Sequence, residues 1–337
     1  MLVVGAGAIG GVTAALMQGG VRQVVVLDSS REHVERLRDP GLLLDRLGEL
    51  SRVVLDARTS VAELDGHFDF ALITLKAPAL EAALPPLAAR ELVDTFVALG
   101  NGLVHDRIAA IVGRQRLVVG TVEMGATNLG PGHLRQTTDN PFVIGELDGA
   151  PRDRTHRLAR ILEPVAGVHL TDNIAGQLWS KLLVNTSLSG LGVVGGCTYG
   201  EVAADPGGRE ALFRLWSEGH ELGLAQGLRL EPVLGIDAAA LASPDPVVRD
   251  AALETTIAAA GATKASMLQD VERGLPTEVD VINGSVVARA VELGAEAPCN
   301  AAVVALVHRY ERGEASPDRG NFAEVVRAGR PVSAGFE

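Results

Sequence analysis

The chain of 337 residues is poor in aromatic side chains, which make up only 3 % of it. Its interior must therefore be filled by Ala, Val and Leu, small side chains that suit close helix packing. Cysteine is as scarce: Cys197 and Cys299 are the only two. A disulfide framework is not implied, neither lies in a metal-type pair, and both read as reduced, buried thiols. Basic charge is in deficit, with 30 Lys and Arg against 42 Asp and Glu and a formal net charge of −12. A field of that sign repels phosphate backbones and argues against a nucleic-acid partner, although a locally positive site can still hold an anionic substrate. No apolar run reaches the roughly 18 residues that a membrane span needs; Asp69, Lys76 and Glu81 interrupt the best candidate. The opening Met1-Leu2-Val3-Val4-Gly5 has no basic n-region, so a secretory leader is not expected and a cytoplasmic location is. The eight histidines are scattered, and no cluster of His, Cys and Asp suggests a metal site. What is abundant is globular material: 47 % hydrophobic and 21 % charged residues, enough for about two domains.

The first half alternates between short apolar runs and helical stretches. Leu2–Val4, Val24–Leu27, Phe70–Leu75, Thr95–Leu99 and Leu117–Gly120 read as buried strands. Gly10–Gln18, Arg31–Leu37, Leu80–Ala89 and Val104–Ile111 read as the helices between them. Such alternation means βαβ units and a parallel sheet, an α/β domain of Rossmann type. Gly130–Arg135 and Pro141–Gly145 look antiparallel and suit a sheet edge. After Asp172 strand signals almost vanish. Ile174–Gly192, Pro206–Gln226, Val247–Ala260, Val279–Leu293 and Ala301–Glu314 read as helices. The expected organisation is a dinucleotide-binding domain over residues 1–171, an all-helical domain over 172–316 and a loop-like tail over 317–337.

Gly5-Ala6-Gly7-Ala8-Ile9-Gly10 is a G-x-G-x-x-G loop that follows a strand, opens a helix, and precedes a second strand ending in Asp28. Gly5 permits the tight turn, Gly7 lets the backbone approach a pyrophosphate, and Gly10 lets the helix pack on the sheet. Gly5, Gly7, Ala8, Ile9 and Gly10 are thus candidate cofactor contacts, with phosphate held at the helix N-terminus. Without such a ligand the pattern would be only a glycine-rich turn, but strand, glycines, helix and acid agree. A carboxylate at Asp28 accepts bonds from ribose hydroxyls and repels a 2′-phosphate, which favours NADH over NADPH. Ser29 and Arg31 follow at once, and Arg31 offers a partner for a 2′-phosphate or is simply a solvated residue opening a helix.

In Leu178-Trp179-Ser180-Lys181-Leu182-Leu183-Val184-Asn185 the pattern becomes specific. Lys181, Asn185 and Ser189 stand at i, i+4 and i+8, and at about 100° per residue they share one face of an otherwise apolar helix. A lone lysine there would snorkel to solvent; one aligned with an amide and a hydroxyl points to a site. A second segment runs Lys264-Ala265-Ser266-Met267-Leu268-Gln269-Asp270, then Pro276-Thr277-Glu278-Val279-Asp280, with Glu278 opening a helix. Taken alone, Glu278 is a favourable first-turn acid and Ser266 a plain turn hydroxyl.

Together with the glycine loop, these segments resemble ketopantoate reductase (2-dehydropantoate 2-reductase). The marks are GAGAIGG at the start, Thr74-Leu75-Lys76-Ala77, Asn101-Gly102-Leu103, Leu178-Trp179-x-Lys181-Leu182-x-x-Asn185, Ser266-Met267-Leu268-Gln269-Asp270, and Glu278 with Ile282-Asn283-Gly284. The marks stand in order, and the resemblance covers roughly Met1 to Arg312. The resemblance implies a Rossmann domain followed by an all-helical domain, with the active site in the cleft between them. It implies hydride transfer from NADPH or NADH to the carbonyl of a 2-oxo acid in pantothenate biosynthesis. By position, Lys181 matches the general acid and Glu278 the carboxylate at the substrate. Asn101, Asn185, Ser189 and Ser266 match substrate-binding positions. Asn101 also falls near the nicotinamide end and Lys76 near the adenosine end of the cofactor. The chemistry is self-consistent, because an ammonium both stabilises and protonates the oxygen that hydride attack makes negative.

Two positions depart from the family pattern. Ser189 stands where pantoate-forming members commonly carry a second asparagine, and Gly100 where they commonly carry glutamine. Both bear on the substrate more than on the reaction. The same chemistry on another 2-oxo acid or ketone is one alternative. A dinucleotide-binding sensor without turnover is another, although a sensor has no need of Lys181, Asn185 and Glu278 together. The Ala- and Leu-rich helical half is also able to form a homodimer.

Overall fold

The computed structural model describes residues 1–232, 235 and 237–329. They fall into two compact units, Met1–Ile174 and the described residues from Ala175 on.

The first unit is built on twelve strands: β1 (Leu2–Val4), β2 (Val25–Leu27), β3 (Leu42–Arg46), β4 (Glu49–Val53), β5 (Asp56–Arg58), β6 (Phe68–Ile73), β7 (Val93–Ala98), β8 (Leu117–Val122), β9 (Ala126–Gly130), β10 (His133–Gln136), β11 (Phe142–Glu146) and β12 (Val168–Leu170). Eight of them lie in the order β12-β11-β8-β7-β6-β1-β2-β5. All neighbours are parallel except β8 and β11. The central strands are covered on both faces, which is why β1, β2 and β8 are buried at every residue and read as unbroken apolar runs. From β1 the chain winds one way through β2 to β5 and the other way through β6 to β8. The direction of winding therefore switches between β1 and β6, and in such sheets ligands bind beyond the carboxyl ends of the strands at that switch.

The α/β reading with a helical second half holds. Antiparallel β near Pro141 is present as β11, but the edge of the sheet is β12, which pairs parallel to it. A second sheet, β4-β3-β10-β9, was not legible. Its β3–β4 hairpin turns on Leu47 and Gly48, both at positive φ, and β3 pairs parallel to β10 about ninety residues away.

In the second unit the 20-residue helix Pro206–Ala225 is central, packed by the helices Tyr199–Ala204, Asn283–Glu292, Pro298–Glu311 and Phe322–Ala328. Two glycines on it admit the helix Ile174–Val184: a Cβ at Gly219 would lie 2.5 Å from Leu183 Cδ2, and one at Gly223 would lie 2.6 Å from Trp179 Nε1. The expected tail from 317 is corrected as far as residue 329. Phe322–Ala328 is a helix whose Phe322, Val325 and Val326 are buried; residues 330–337 lie outside the described residues. Among the described residues no helix is long and apolar enough to cross a membrane, and no cluster of three or more His, Cys, Asp or Glu is placed to hold a metal.

Candidate functional site

At the switch point of the first unit three loops meet beyond the carboxyl ends of β1, β6 and β7. Gly5 leaves β1 at φ +95°, a conformation that L side chains rarely adopt, and donates its N–H to Leu27 O at 2.8 Å. Thr74, just after β6, donates its hydroxyl to Gly5 O at 2.7 Å and its N–H to Val4 O at 3.0 Å. Gly10 is fixed by this closure, since a Cβ there would lie 2.0 Å from Gly5 O and 2.3 Å from the Thr74 hydroxyl. Gly7 is different. It caps the helix Ala8–Met17 without a side-chain bond, and a Cβ on it would meet nothing within 4 Å. Its lack of a side chain is needed for no protein contact and suits the approach of a ligand. The first-turn N–H groups of Ala8, Ile9 and Gly10 precede any intrahelical acceptor, so donors and dipole point toward the space above Gly7. This cradle fits a dinucleotide pyrophosphate.

Asp28 is partly exposed at the end of β2. Its Oδ2 accepts from Ala6 N at 2.8 Å and its Oδ1 from Ser30 N at 2.9 Å. Each carboxylate oxygen retains a lone pair for a ribose hydroxyl. Ser29 and Arg31 are exposed beside it, and Arg31 opens the helix Arg31–Arg36. Lys76 is exposed and Asn101 half-buried in the loops after β6 and β7. At Gly100 a Cβ would come within 2.8 Å of Val104 Cγ2, so any larger side chain at this position needs a local shift here.

A residue that sequence reasoning missed holds this loop. His33 is 4 % exposed. Its Nε2 donates to Ala6 O at 2.8 Å, and its Nδ1 accepts from Gly132 N at 2.9 Å. A carbonyl can only accept and an amide only donate, so the ring is the neutral Nε2–H tautomer. Ala6 is thereby gripped from both sides, by Asp28 at its N–H and by His33 at its carbonyl. The signal was a lone histidine nine residues before β3, and nothing local ties it to a loop 27 residues upstream.

In the second unit the helix Ile174–Val184 is anchored by Trp179, whose indole donates to Gly219 O at 2.8 Å, and by Ser180, whose hydroxyl accepts from Glu231 N at 2.9 Å. Lys181 and Asn185 are both partly exposed. The helix does not continue as simple α. Residues Asn185–Ser189 form a π turn, closed by Gly190 N–H to Asn185 O, before α structure resumes at Gly190–Gly195. The wider turn changes the angular step per residue, so the 100° count that linked Lys181 to Ser189 does not carry through it. Ser189 is 5 % exposed and its hydroxyl pairs with Tyr199 OH at 2.5 Å.

Glu278 does not open a helix. It sits in a turn whose carbonyl accepts from Val281 and Ile282 N–H, both at 3.1 Å, and the helix proper is Asn283–Glu292. Thr277 fixes the turn: its N–H donates to Glu311 Oε1 at 2.8 Å, while its hydroxyl accepts from Val279 N at 3.3 Å. The Glu278 side chain is 5 % exposed, a burial that a carboxylate tolerates only with partners. Ser266 is exposed at the start of the helix Ser266–Glu272, which packs on the π turn. The carboxyl-end loops of the first unit thus bring Gly5, Gly7, Gly10, Asp28, Lys76 and Asn101 to one end of a sheet. In the second unit, the π-interrupted helix and the elements packed on it carry Lys181, Asn185, Ser189 and Ser266.

Comparison with known proteins follows the same division. Residues 1–149 match the family described as Ketopantoate reductase PanE/ApbA, and residues 173–311 match its C-terminal family, Ketopantoate reductase PanE/ApbA C terminal. The chain is 30 % identical to a 2-dehydropantoate 2-reductase of Mesorhizobium japonicum, over 92 % of this chain and 98 % of that protein. It is 28 % identical to a protein of the same name from Archaeoglobus fulgidus, over 92 % and 97 % of the two chains. A solved ketopantoate reductase-family structure from Ralstonia eutropha has the same fold, with a TM-score of 0.80 and 24 % identity over 93 % of this chain and 99 % of that one. With both halves matched in order and a 30 % relative spanning almost its whole length, the chain belongs to the ketopantoate reductase family.

Proposed function

We propose that this protein reduces the carbonyl of a 2-oxo acid to a 2-hydroxy acid, using a nicotinamide dinucleotide held on its first unit. The observation that carries the reading is the cradle at the switch point, where Gly7 caps a helix and a Cβ on it would meet none of the described residues within 4 Å, while Asp28 and Thr74 fix the loop on either side. Gly5, Gly7, Ala8, Ile9 and Gly10 would hold the pyrophosphate, Asp28 with Ser29 and Arg31 the adenosine ribose, and Lys76 the adenosine end. When bound, the reduced nicotinamide supplies the hydride. Lys181 donates the proton that the substrate oxygen gains and stabilises the charge that develops on it. Glu278 orients that lysine or the nascent hydroxyl. Asn101, Asn185 and Ser266 fix the carboxylate and polar tail of the substrate by directional hydrogen bonds, while the Ser189 hydroxyl is engaged by Tyr199.

Asp28 favours NADH, because a carboxylate at this place repels a 2′-phosphate. The pairing of Ser189 with Tyr199 favours a second reading of the substrate, in which the preferred 2-oxo acid is other than ketopantoate. The test is a panel of 2-oxo acids assayed at 340 nm with NADH and with NADPH. Oxidation of either cofactor by at least one acid is expected. If none is turned over while the cofactor still binds, the protein is a dinucleotide sensor.

A further inference from the structure

We infer that Asn283 is a positioning residue, whose buried side-chain amide holds the π turn after Lys181 in register with the turn that carries Glu278. The inference rests on the proposed roles of Lys181 and Glu278. In an α-helix the N–H of Gly190 would bond to Thr186 O, four residues back. Here it is shared between Asn185 O and Ser187 O instead, which leaves the Thr186 carbonyl without that α-helical donor. Asn283 supplies one: its Nδ2 donates to Thr186 O at 3.0 Å and to Asn300 Oδ1 at 3.0 Å. Both partners are acceptors, so the orientation of the amide is fixed by chemistry.

The pin is itself held. Asn300 donates its Nδ2 at 2.8 Å and its N–H at 3.0 Å to Glu218 Oε2, and the other oxygen of Glu218 accepts from Cys299 N at 2.7 Å. Asn283 and Asn300 are fully buried. Asn283 Oδ1 finds no hydrogen-bond partner among the described residues. A side chain kept for packing alone would avoid that orphaned acceptor, so the amide is there for the two bonds it donates. Gly190 leaves the room: a Cβ on it would lie 3.1 Å from Asn283 Oδ1 and 3.2 Å from its Nδ2. π turns inside α-helices recur at functional sites. This one begins at Asn185, four residues after Lys181, and Asn283 lies five residues after Glu278. One amide therefore ties the two groups through backbone at each end.

Two variants test it. Asn283→Asp keeps the shape and removes the donors; Gly190→Ala keeps the amide and crowds it, at a helical position that alanine otherwise favours. Hydrogen exchange of the 183–192 backbone is compared with kcat and KM on the best 2-oxo acid and with cofactor Kd by NADH fluorescence. We expect faster exchange in both. kcat should fall roughly 10–100-fold in Asn283→Asp and several-fold in Gly190→Ala, since small misplacements of reacting groups cost about that much. KM and cofactor Kd should stay within twofold, a split that general loosening of the fold would not produce. Unchanged exchange together with unchanged kcat in a folded variant overturns the inference. So does a parallel loss in kcat, KM and cofactor Kd. If Asn283→Asp does not fold, Gly190→Ala decides. If the native enzyme turns over no 2-oxo acid, it is the functional reading that fails, and hydrogen exchange alone decides the pin.

Discussion

Replacing His33 probes the glycine loop from a buried residue behind it. His33→Ala leaves two buried partners, Ala6 O and Gly132 N, without their ring nitrogens. A buried polar group so orphaned costs about 1–3 kcal/mol, or roughly 2–6 kcal/mol for the pair. For a unit of this size each kcal/mol lowers Tm by about 2–4 °C, so the melting transition should fall by at least about 4 °C. The ring also separates two effects. The shorter amide of His33→Asn places an acceptor near Nδ1 and keeps the Gly132 bond, whereas His33→Gln places a donor near Nε2 and keeps the Ala6 bond. If the Ala6 carbonyl sets the loop that receives the pyrophosphate, NADH titration should show the Asn variant binding several-fold more weakly than the Gln variant at similar Tm. Equal affinities in the two would refute the loop argument, and a His33→Ala variant melting within 2 °C of native would refute the energetic one.

Lys181→Ala should lower kcat by roughly 10²–10⁴-fold, as for loss of a general acid, with NADH fluorescence titration reporting an unchanged Kd; near-normal kcat removes the lysine from the chemistry. Native kcat/KM should be higher with NADH than with NADPH, and Asp28→Ala should narrow that ratio while weakening both, because Asp28 also holds Ala6 N; a native preference for NADPH means Arg31 or Lys76 governs the pocket. Glu146 supplies a pH dependence. Burial pushes its pKa up, but hydrogen bonds from Arg154 and Thr155 outweigh this and hold it below the usual carboxylate value. Its stabilisation is therefore present above about pH 4.5 and lost as pH falls through the lower folded-state value. Acid titration of Glu146→Gln should show a shallower loss of stability over that range, and an identical acid limb in both proteins rules the group out.

How much was legible depended on how local the cause was. The parallel strands were readable because burial on both faces makes Leu2-Val3-Val4 and Val25-Val26-Leu27 continuous apolar runs. The glycine loop was readable because strand, glycines, helix and Asp28 stand in one short segment. The β3–β4 hairpin was not, since β4 is almost entirely exposed and carries Glu49, Ser51 and Arg52, and β3 gains its second partner only from β10, about ninety residues on. The π turn was hidden for the same reason: the donor for its extra carbonyl comes from Asn283, 97 residues further on. The helix expected to open at Glu278 begins about one turn later, at Asn283, because a first-turn acid and an acid in a preceding turn have the same local pattern. The terminal helix was a missed local signal, with Phe322, Val325 and Val326 at i, i+3 and i+4 after an Asp318 cap.

An asparagine at position 189 would offer a donor and an acceptor at amide reach, whereas serine offers one hydroxyl on a shorter stem, and that hydroxyl is already engaged with Tyr199 at 2.5 Å in a buried setting. A substrate hydroxyl left without its contact in a closed site costs roughly 1–3 kcal/mol, about tenfold to hundredfold in kcat/KM. Ketopantoate should therefore be a secondary substrate, with a related branched or bulkier 2-oxo acid preferred. Tyr199 makes the test sharper than a single substitution. Ser189→Asn must displace the phenol oxygen, so alone it should destabilise the protein without improving turnover of ketopantoate. Paired with Tyr199→Phe, which vacates the position of that oxygen, the asparagine should raise kcat/KM for ketopantoate at least several-fold over Tyr199→Phe alone. The four proteins form a double-mutant cycle on one substrate. A native enzyme that already prefers ketopantoate over the rest of the panel, with no coupling between the two positions, returns the chain to ordinary pantoate synthesis.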